Sequence, residues 1–267
     1  MTASNRPDPR AATGPELRDA ARLPHRIRPA GHPPVQARGL ERLQDAPVPV
    51  TPAGKLSGQV GTSAFPAPTV LADFLPDGAF RGGSTVEVLE STSLLVAVIA
   101  SATSTGAWAA AVGMPELGML AAADHGIDLA RLGLVPQPGP DWLKVVAALV
   151  DGVAVVAVRP PSPVTAADKS RLTARLRQRG GLLITTCAWD GADVSLRVSD
   201  QRWYGLGQGR GRFKARTAMI TVHGRGALVR TRQTTVWLPA PDGQPIAAYD
   251  AIPAGSLADP PATATVA

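Results

Sequence analysis

The sequence predicts an α/β fold in which a mainly parallel sheet is flanked by helices and is then extended by antiparallel C-terminal strands. Three observations carry this prediction. Apolar runs of strand length alternate with segments of helical periodicity between residues 84 and 186, which is typical of βαβ units. The run 153–158 contains only Val and Ala, as expected of a strand buried on both faces. After residue 194, short alternating strands are separated by glycine-rich turns.

The individual elements are predicted from their periodicity and from the signals at their ends. Thr165 is a suitable N-cap for an amphipathic helix, and Gly180 follows the last residue of that helix. We predict parallel strands at 84–89, 107–112, 132–136, 153–158 and 182–186, with helices at 92–102, 118–125, 142–150 and 166–179. The antiparallel strands are predicted at 194–198, 217–223, 228–231 and 234–238.

The chain divides into a folded domain and two segments of different composition. Of the 267 residues, 45% are apolar and 18% are charged, which is too apolar for general disorder. Residues 1–54 contain ten prolines and no sustained apolar period, so they are predicted to be a flexible arm. The α/β domain is expected at 55–238. The segment 239–267 is rich in Pro, Ala and Asp and is predicted to be disordered.

Several classes of protein are excluded by composition. One cysteine and four scattered histidines give neither a disulfide framework nor metal-ligand spacing, so we expect no metal site. The N terminus lacks the apolar core of a signal peptide, which favours a cytoplasmic location. Residues 91–115 carry no charge, but Ser, Thr and Gly interrupt the middle of this run. We therefore interpret it as a buried helix, a turn and a strand rather than a membrane span.

Basic charge is concentrated in one part of the sequence. The net charge is +6, yet residues 197–232 alone hold nine basic residues against Asp200. Such a block favours binding to phosphates or to an acidic partner surface. The alternative is a solvated strand face.

Within the basic block, residues 201–216 interleave cations, glycines and aromatic residues. If this segment is a strand, Arg210, Arg212, Lys214 and Arg216 lie on one face and could follow a nucleic-acid backbone. Aromatic side chains could then stack on bases. The opposing hypothesis puts Trp203 and Phe213 in the core and leaves the cations as an edge that prevents strand aggregation. The candidate contact residues are Arg202, Trp203, Tyr204, Arg210, Arg212, Phe213, Lys214 and Arg216.

The start of the folded domain resembles the entry to a RecA-type ATPase core. Phe80 and the run 82–89 resemble the turn and strand that precede the phosphate-binding loop in that family. The segments 126–129 and 132–136 resemble the part before the third strand, and 153–158 resembles the Walker B strand. The resemblance covers roughly residues 54–238 and implies a RecA-like core with a mainly parallel sheet.

The chain departs from that family where ATP would bind. A phosphate-binding loop needs G-x-x-x-x-G-K-[ST], whose glycines and lysine hold the phosphates. At this place the chain has Glu90, Ser91, Thr92 and Ser93, and the Walker B strand is followed by Arg159 rather than by an acid. Glu116 could take the place of the family's catalytic glutamate. We expect a degenerate nucleotide pocket, no catalytic residues, no cofactor and no enzymatic activity, although the helix N terminus could still bind an anion weakly.

Among RecA relatives without the loop, the chain resembles accessory mutagenesis proteins of the ImuA-prime (ImuA) type. The resemblance rests on the 83–95 junction, on Arg159-Pro160-Pro161 and on 203–206 with the Arg-rich strands after it. It implies a role in the SOS response to DNA damage and in translesion synthesis. The implied partners are a Y-family-like polymerase homologue (ImuB type) and an error-prone C-family DNA polymerase, with RecA and single-stranded DNA as further candidates. A partner-dependent ATPase regulator of recombination and a generic DNA-binding module stay open as alternatives.

Overall fold

A nine-stranded sheet forms the centre of the part of the chain that the structure describes. The computed structural model describes residues 64–207, 210–241 and 244–251. The described residues form the strands β1 Ala64–Pro66, β2 Ala79–Arg81, β3 Ser84–Leu89, β4 Ala109–Val112, β5 Leu132–Val135, β6 Val155–Val158, β7 Leu182–Thr185, β8 Val194–Gly207, β9 Arg210–Gly224, β10 Arg232–Trp237 and β11 Ala247–Ala248. Its helices are α1 Thr69–Ala72, α2 Thr92–Thr103, α3 Met119–Asp124, α4 Trp142–Gly152 and α5 Ala166–Arg179.

The sheet has the order β11-β10-β9-β8-β3-β7-β6-β4-β5, while β1 and β2 form a separate antiparallel ribbon. The six strands from β8 to β5 in this order are parallel to one another. The three remaining strands, β9, β10 and β11, pair antiparallel along the β8 side. This arrangement confirms the predicted fold class, an α/β fold with a mainly parallel sheet that is flanked by helices and extended by antiparallel C-terminal strands.

Helices cover the parallel part of the sheet on both faces, so that two cores form. Val155 and Ala157 of β6 pack in a core shared with α1, α2 and α3. Val156 and Val158 point to the opposite face and pack with α4, α5 and Trp189. Because successive strand residues point to opposite faces, a central strand between two helical layers must be apolar at every position. This explains the Val and Ala run from which the strand was predicted.

Three predicted strands of the antiparallel part differ from the structure. The strand predicted at 228–231 is wrong, because residues Gly226–Leu228 form a 3₁₀ turn instead. At Gly224, which precedes this turn, a Cβ atom would lie 2.2 Å from the carbonyl oxygen of Asp193, so that the close approach requires glycine. Strands β8 and β9 are far longer than predicted, and two register shifts, one beside Gly205, let their paired ends bend.

The C-terminal part of the described chain contributes a third, smaller core. Trp237 is fully buried, with Tyr204 edge-on at 5.2 Å and Tyr249 stacked at 5.7 Å between ring centroids. Its indole N–H donates to the carbonyl oxygen of Tyr249 at 3.2 Å. Strand β11 pairs with β10 in the same region. The disordered tail was therefore predicted to begin too early, because its Pro- and Ala-rich composition masks the residues that close this end of the sheet.

The remaining predictions about domain organisation and membranes concern different parts of the chain. The predicted arm at 1–54 lies outside the described residues. Within the described ranges, no helix combines the length and apolarity needed to cross a bilayer. The uncharged run 91–115 contains α2, a turn and β4, as predicted.

Candidate functional site

The turn that follows β3 occupies the place where the resemblance requires a phosphate-binding loop. Strand β3 ends at Leu89 and helix α2 begins at Thr92, so only Glu90 and Ser91 connect them. The hydroxyl oxygen of Ser91 accepts a hydrogen bond from the backbone N–H of Leu94 at 3.1 Å. Glu90 adopts a left-handed conformation with φ of 65°. The turn is thus a capped two-residue connection, too short for the eight-residue phosphate-binding motif.

The side chains at this turn present negative charge to the site. Thr92 is exposed, while Ser91 and Ser93 are half-buried, so the predicted pocket residues lie together around the first turn of α2. The Glu90 carboxylate forms an ion pair with Arg197 of β8. The strand registers explain the pair, because Leu89 lies directly opposite Arg197. A triphosphate at this position would lie against the negatively charged Glu90 carboxylate. The neighbouring cation, Arg197, is already paired with that carboxylate.

A second ion pair lies at the carboxyl end of the neighbouring strands. Arg159, which follows β6, forms an ion pair with Glu116 in the segment after β4. The backbone N–H of Arg159 also donates to the carbonyl oxygen of Val112 at 2.9 Å. Gly113 makes the close approach possible: its φ is 74°, and a Cβ atom there would lie 2.2 Å from the Arg159 carbonyl oxygen. Where a Mg²⁺-binding acid is needed, the chain therefore carries a cation that neutralises Glu116.

The basic block forms a long hairpin. Strand β10 pairs with β9 only as far as Thr217, whereas β8 and β9 stay paired to Gly207 and Arg210. We call the two segments 201–207 and 210–216 the basic hairpin. Because the pairing with β10 ends at Thr217, β9 has β8 as its strand partner throughout the basic hairpin.

Two aromatic rings are exposed on the basic hairpin. Trp203 is 40% exposed and Phe213 is 57% exposed, and their ring centroids lie 5.2 Å apart at an interplanar angle of 50°. Arg202 and Lys214 are exposed beside them. Large aromatics flanked by cations are typical of contact surfaces for nucleic acids and for acidic protein segments.

Two of the residues predicted on this surface belong to the core instead. Tyr204 is buried against Trp237. Arg216 is also buried: its Nε donates to the Leu238 carbonyl oxygen at 2.7 Å, and its Nη1 donates to Gln201 Oε1 at 2.6 Å. Burial lowers the pKa of the Arg216 guanidinium.

The predicted row of four cations on one solvent face is therefore wrong at Arg216. The guanidinium of Arg216 also lies over the Trp203 ring, 4.9 Å from its centroid, and so makes a cation–π contact with the exposed indole. The backbone of Arg210 and Arg212 lies in β9, and their side chains lie outside the described residues. Lys214 remains as a described cation of the row with an exposed side chain.

Part of the chain is similar to a family model and to a relative. The family described as the MT3502 N-terminal domain matches residues 73–191. This segment contains β3 to β7 and the acidic residue of each ion pair described above, Glu90 and Glu116. It ends before the basic hairpin. The uncharacterized protein Rv3395c of Mycobacterium tuberculosis (strain ATCC 25618 / H37Rv) is 40% identical over 133 residues. That match covers 48% of this chain and 65% of the relative, so the chain spans just under two thirds of the relative's length.

A solved structure is also similar. It is the crystal structure of the KaiC-like protein PH0186 from the hyperthermophilic archaeon Pyrococcus horikoshii OT3, with a TM-score of 0.47 and 14% sequence identity. The match covers 71% of this chain and 100% of that chain.

Proposed function

We propose that the protein is a non-catalytic RecA-like accessory protein that acts as a scaffold in DNA-damage-induced mutagenesis. In this role it works in the cytoplasm with a Y-family-like polymerase homologue and an error-prone C-family polymerase during translesion synthesis. The observation that carries the non-catalytic part is the two-residue β3–α2 turn with its Glu90–Arg197 ion pair. The resemblance of the chain to ImuA-type proteins supplies the biological setting.

The residues at the carboxyl edge of the sheet do not fit the Mg²⁺-nucleotide that a RecA-type fold implies. Backbone N–H groups of a glycine-rich loop normally wrap the phosphates, and a lysine balances their charge. Here the capped turn replaces the loop, and Glu90 opposes phosphate by like charge. Arg159 stands where a metal-binding carboxylate is needed, and it is paired with Glu116. We therefore propose that the protein works without a bound nucleotide.

The scaffold function needs a contact surface, and the basic hairpin supplies the strongest candidate. Its exposed ring pair offers apolar contact area, and its exposed cations favour an acidic or phosphate-bearing partner. The segment that contains it carries nine basic residues against one acid. Partner recognition through such a surface requires no chemistry at the carboxyl edge.

The non-catalytic part is tested by equilibrium binding of a fluorescent ATP analogue with Mg²⁺ to the purified full chain. We expect no saturable binding at high micromolar protein. The variant Glu90→Gln should behave in the same way, because removal of the charge does not create a loop. Saturable binding that is lost on chelation of Mg²⁺ would show that the α2 N terminus still holds phosphate, and the proposal would then be wrong.

The scaffold part is tested by co-purification of polymerase components with the full chain after DNA damage. We expect capture by the wild-type protein and a reduced yield for Phe213→Ala, which removes the more exposed ring of the hairpin. Val229→Ala is the matched control, because Val229 is an exposed apolar residue outside the hairpin. Failure to capture any polymerase component, under conditions that induce the damage response, contradicts the scaffold role.

A generic DNA-binding module is the second candidate, and the basic hairpin is the observation that favours it. If this module were the whole function, deletion of residues 201–216 would abolish DNA binding and every cellular phenotype. Under the scaffold proposal, the same deletion leaves some polymerase capture through the rest of the domain.

A further inference from the structure

Helix α5 carries a row of arginines that the proposed function does not use. Arg171, Arg175 and Arg179 follow one another at four-residue spacing, which places them on one face about 6 Å apart along the axis. We call these three residues the arginine ladder. With three further residues they line a shallow surface groove of about 330 Å³, formed by Asp151, Arg171, Ala174, Arg175, Gln178 and Arg179.

One carboxylate orients two members of the ladder. Asp151, near the end of α4, accepts from Arg175 Nε at 2.9 Å and Nη2 at 2.5 Å, and from Arg179 Nε at 3.0 Å. The hydrogen bond from Arg175 holds the pKa of the Asp151 carboxyl below its ordinary value, so this group is charged at neutral pH. The side chains of Arg175 and Arg179 remain 47% and 46% exposed. Each guanidinium carries five N–H donors, so both keep donors for a ligand.

The charges in the groove do not balance. Arg171 is 81% exposed at its side chain, and its ion pair with Asp168 is long, at 3.5 Å. Asp168 is also engaged by the hydroxyl of the N-cap residue Thr165 at 2.6 Å. Three arginines therefore face one carboxylate within the groove. A purely structural ion pair needs only one arginine per carboxylate, and exposed pairs stabilise a fold by less than about 1 kcal/mol.

We propose that the arginine ladder binds the phosphate backbone of DNA, as a site separate from the basic hairpin. The proposal rests on the proposed role at damaged DNA. A guanidinium binds phosphate through paired, planar N–H donors, and a fixed guanidinium loses less conformational entropy on binding than a free one. The ladder offers three guanidiniums in line on a rigid helix, two of which are held by Asp151. The Gln178 amide in the same groove adds a neutral donor and acceptor.

The test is the salt dependence of DNA binding by the full chain. The probe is a fluorescein-labelled oligonucleotide, single-stranded in one series and duplex in the other, titrated over a range of potassium chloride concentrations. The ladder variant combines Arg171→Gln, Arg175→Gln and Arg179→Gln. The control variant removes the same charge outside the groove, through Arg81→Gln, Lys144→Gln and Arg177→Gln. Arg177 lies on the same helix, which makes the comparison sharp.

Loss of three phosphate contacts should flatten the slope of log Kobs against log salt. The expected change is about 2 for single-stranded DNA or about 3 for duplex, and the larger effect identifies the form that is bound. The control variant should keep the wild-type slope. Should the ladder variant unfold, Arg171→Gln alone should still lower the slope by about 0.7 to 0.9.

Four outcomes would overturn the proposal. Equal slopes for the wild-type protein and the ladder variant would show that the arginines do not touch phosphate. Equal losses in the ladder and control variants would show a general charge effect. Unchanged DNA binding with loss of binding to polyglutamate would identify an acidic protein as the partner. Absence of DNA binding by the wild-type chain would also end this proposal, whereas polymerase capture would still decide the proposed function.

Discussion

Arg216 and Lys214 are neighbours on β9 that the alternation places on one face, yet the structure assigns them opposite roles. Arg216 is buried and donates to Leu238 and Gln201, whereas Lys214 is exposed. Substitution of each by Met keeps most of the side-chain length and removes the charge. We expect Arg216→Met to destabilise the fold and Lys214→Met to leave its stability unchanged.

The magnitude for Arg216→Met follows from its contacts. Two hydrogen bonds from a charged donor each contribute about 1.5–3 kcal/mol, and the cation over the Trp203 ring adds about 0.5–1 kcal/mol. The substitution also relieves the cost of burying a charge, which offsets part of this sum. We expect a net loss of about 2–4 kcal/mol. For a domain of this size, about 3 kcal/mol lowers Tm by about 6–12 °C.

The assay is thermal unfolding followed by circular dichroism, combined with binding of single-stranded DNA below Tm. Lys214→Met should lie within about 0.5 kcal/mol of the wild type, because it changes an exposed side chain. It should weaken DNA binding if the basic hairpin contacts phosphate. The reasoning about Arg216 is refuted if Arg216→Met keeps the wild-type Tm and loses DNA binding, since its guanidinium would then belong to the surface.

Four further substitutions test other parts of the structure. Tyr249→Ala removes a ring stacked on a buried indole, and urea unfolding should show a loss of about 1–3 kcal/mol, whereas no change would place this segment outside the fold. Gly113→Ala brings a Cβ against the Arg159 carbonyl oxygen and should cost at least ~2 kcal/mol in the same assay. Gly126→Ala has a similar φ with open space around it and should cost only about 1 kcal/mol. Asp151 has a folded pKa below its unfolded value, so its contribution is present at neutral pH and is lost as pH falls below about 4. Wild type and Asp151→Asn should therefore converge in stability on acidification, and a constant difference from pH 7 to pH 3 would contradict this.

The elements that the sequence predicts most accurately are those whose end signals are local. Helix α5 has the predicted bounds because the Thr165 side chain accepts from the Asp168 N–H and because Gly180 takes the left-handed conformation that ends the helix. Strand β3 also matches, and the Val and Ala run around β6 identified a strand between two cores. In each case, the information lies within a few residues of the element.

The features that the sequence did not predict depend on distant parts of the chain. Glu116 and Arg159 were noted separately, but their ion pair depends on the adjacent positions of β4 and β6 in the sheet. The alternation of side chains along a strand, taken alone, predicted that Arg216 lies with the exposed cations. Its burial is decided by residues after β10, whose Pro- and Ala-rich composition carries no strand signal. The spacing of the ladder on α5 was visible in the sequence, whereas its sharing of Asp151 was not.

The two ion pairs at the carboxyl edge have a consequence for how the protein works. In a nucleotide-dependent core, bound phosphates connect the ends of neighbouring strands, so ligand and conformation are linked. Here Glu90 connects β3 to β8 through Arg197, and Glu116 connects the end of β4 to that of β6 through Arg159. Strand β8 continues directly into the basic hairpin, so the hairpin is fixed to the core without a ligand. We therefore expect hydrogen exchange of β8 and β9 to be the same with and without Mg²⁺-ATP, as for a constitutive scaffold. Protection of these strands on nucleotide addition would instead reveal a switch, because only a ligand with different affinity for two states can shift their populations.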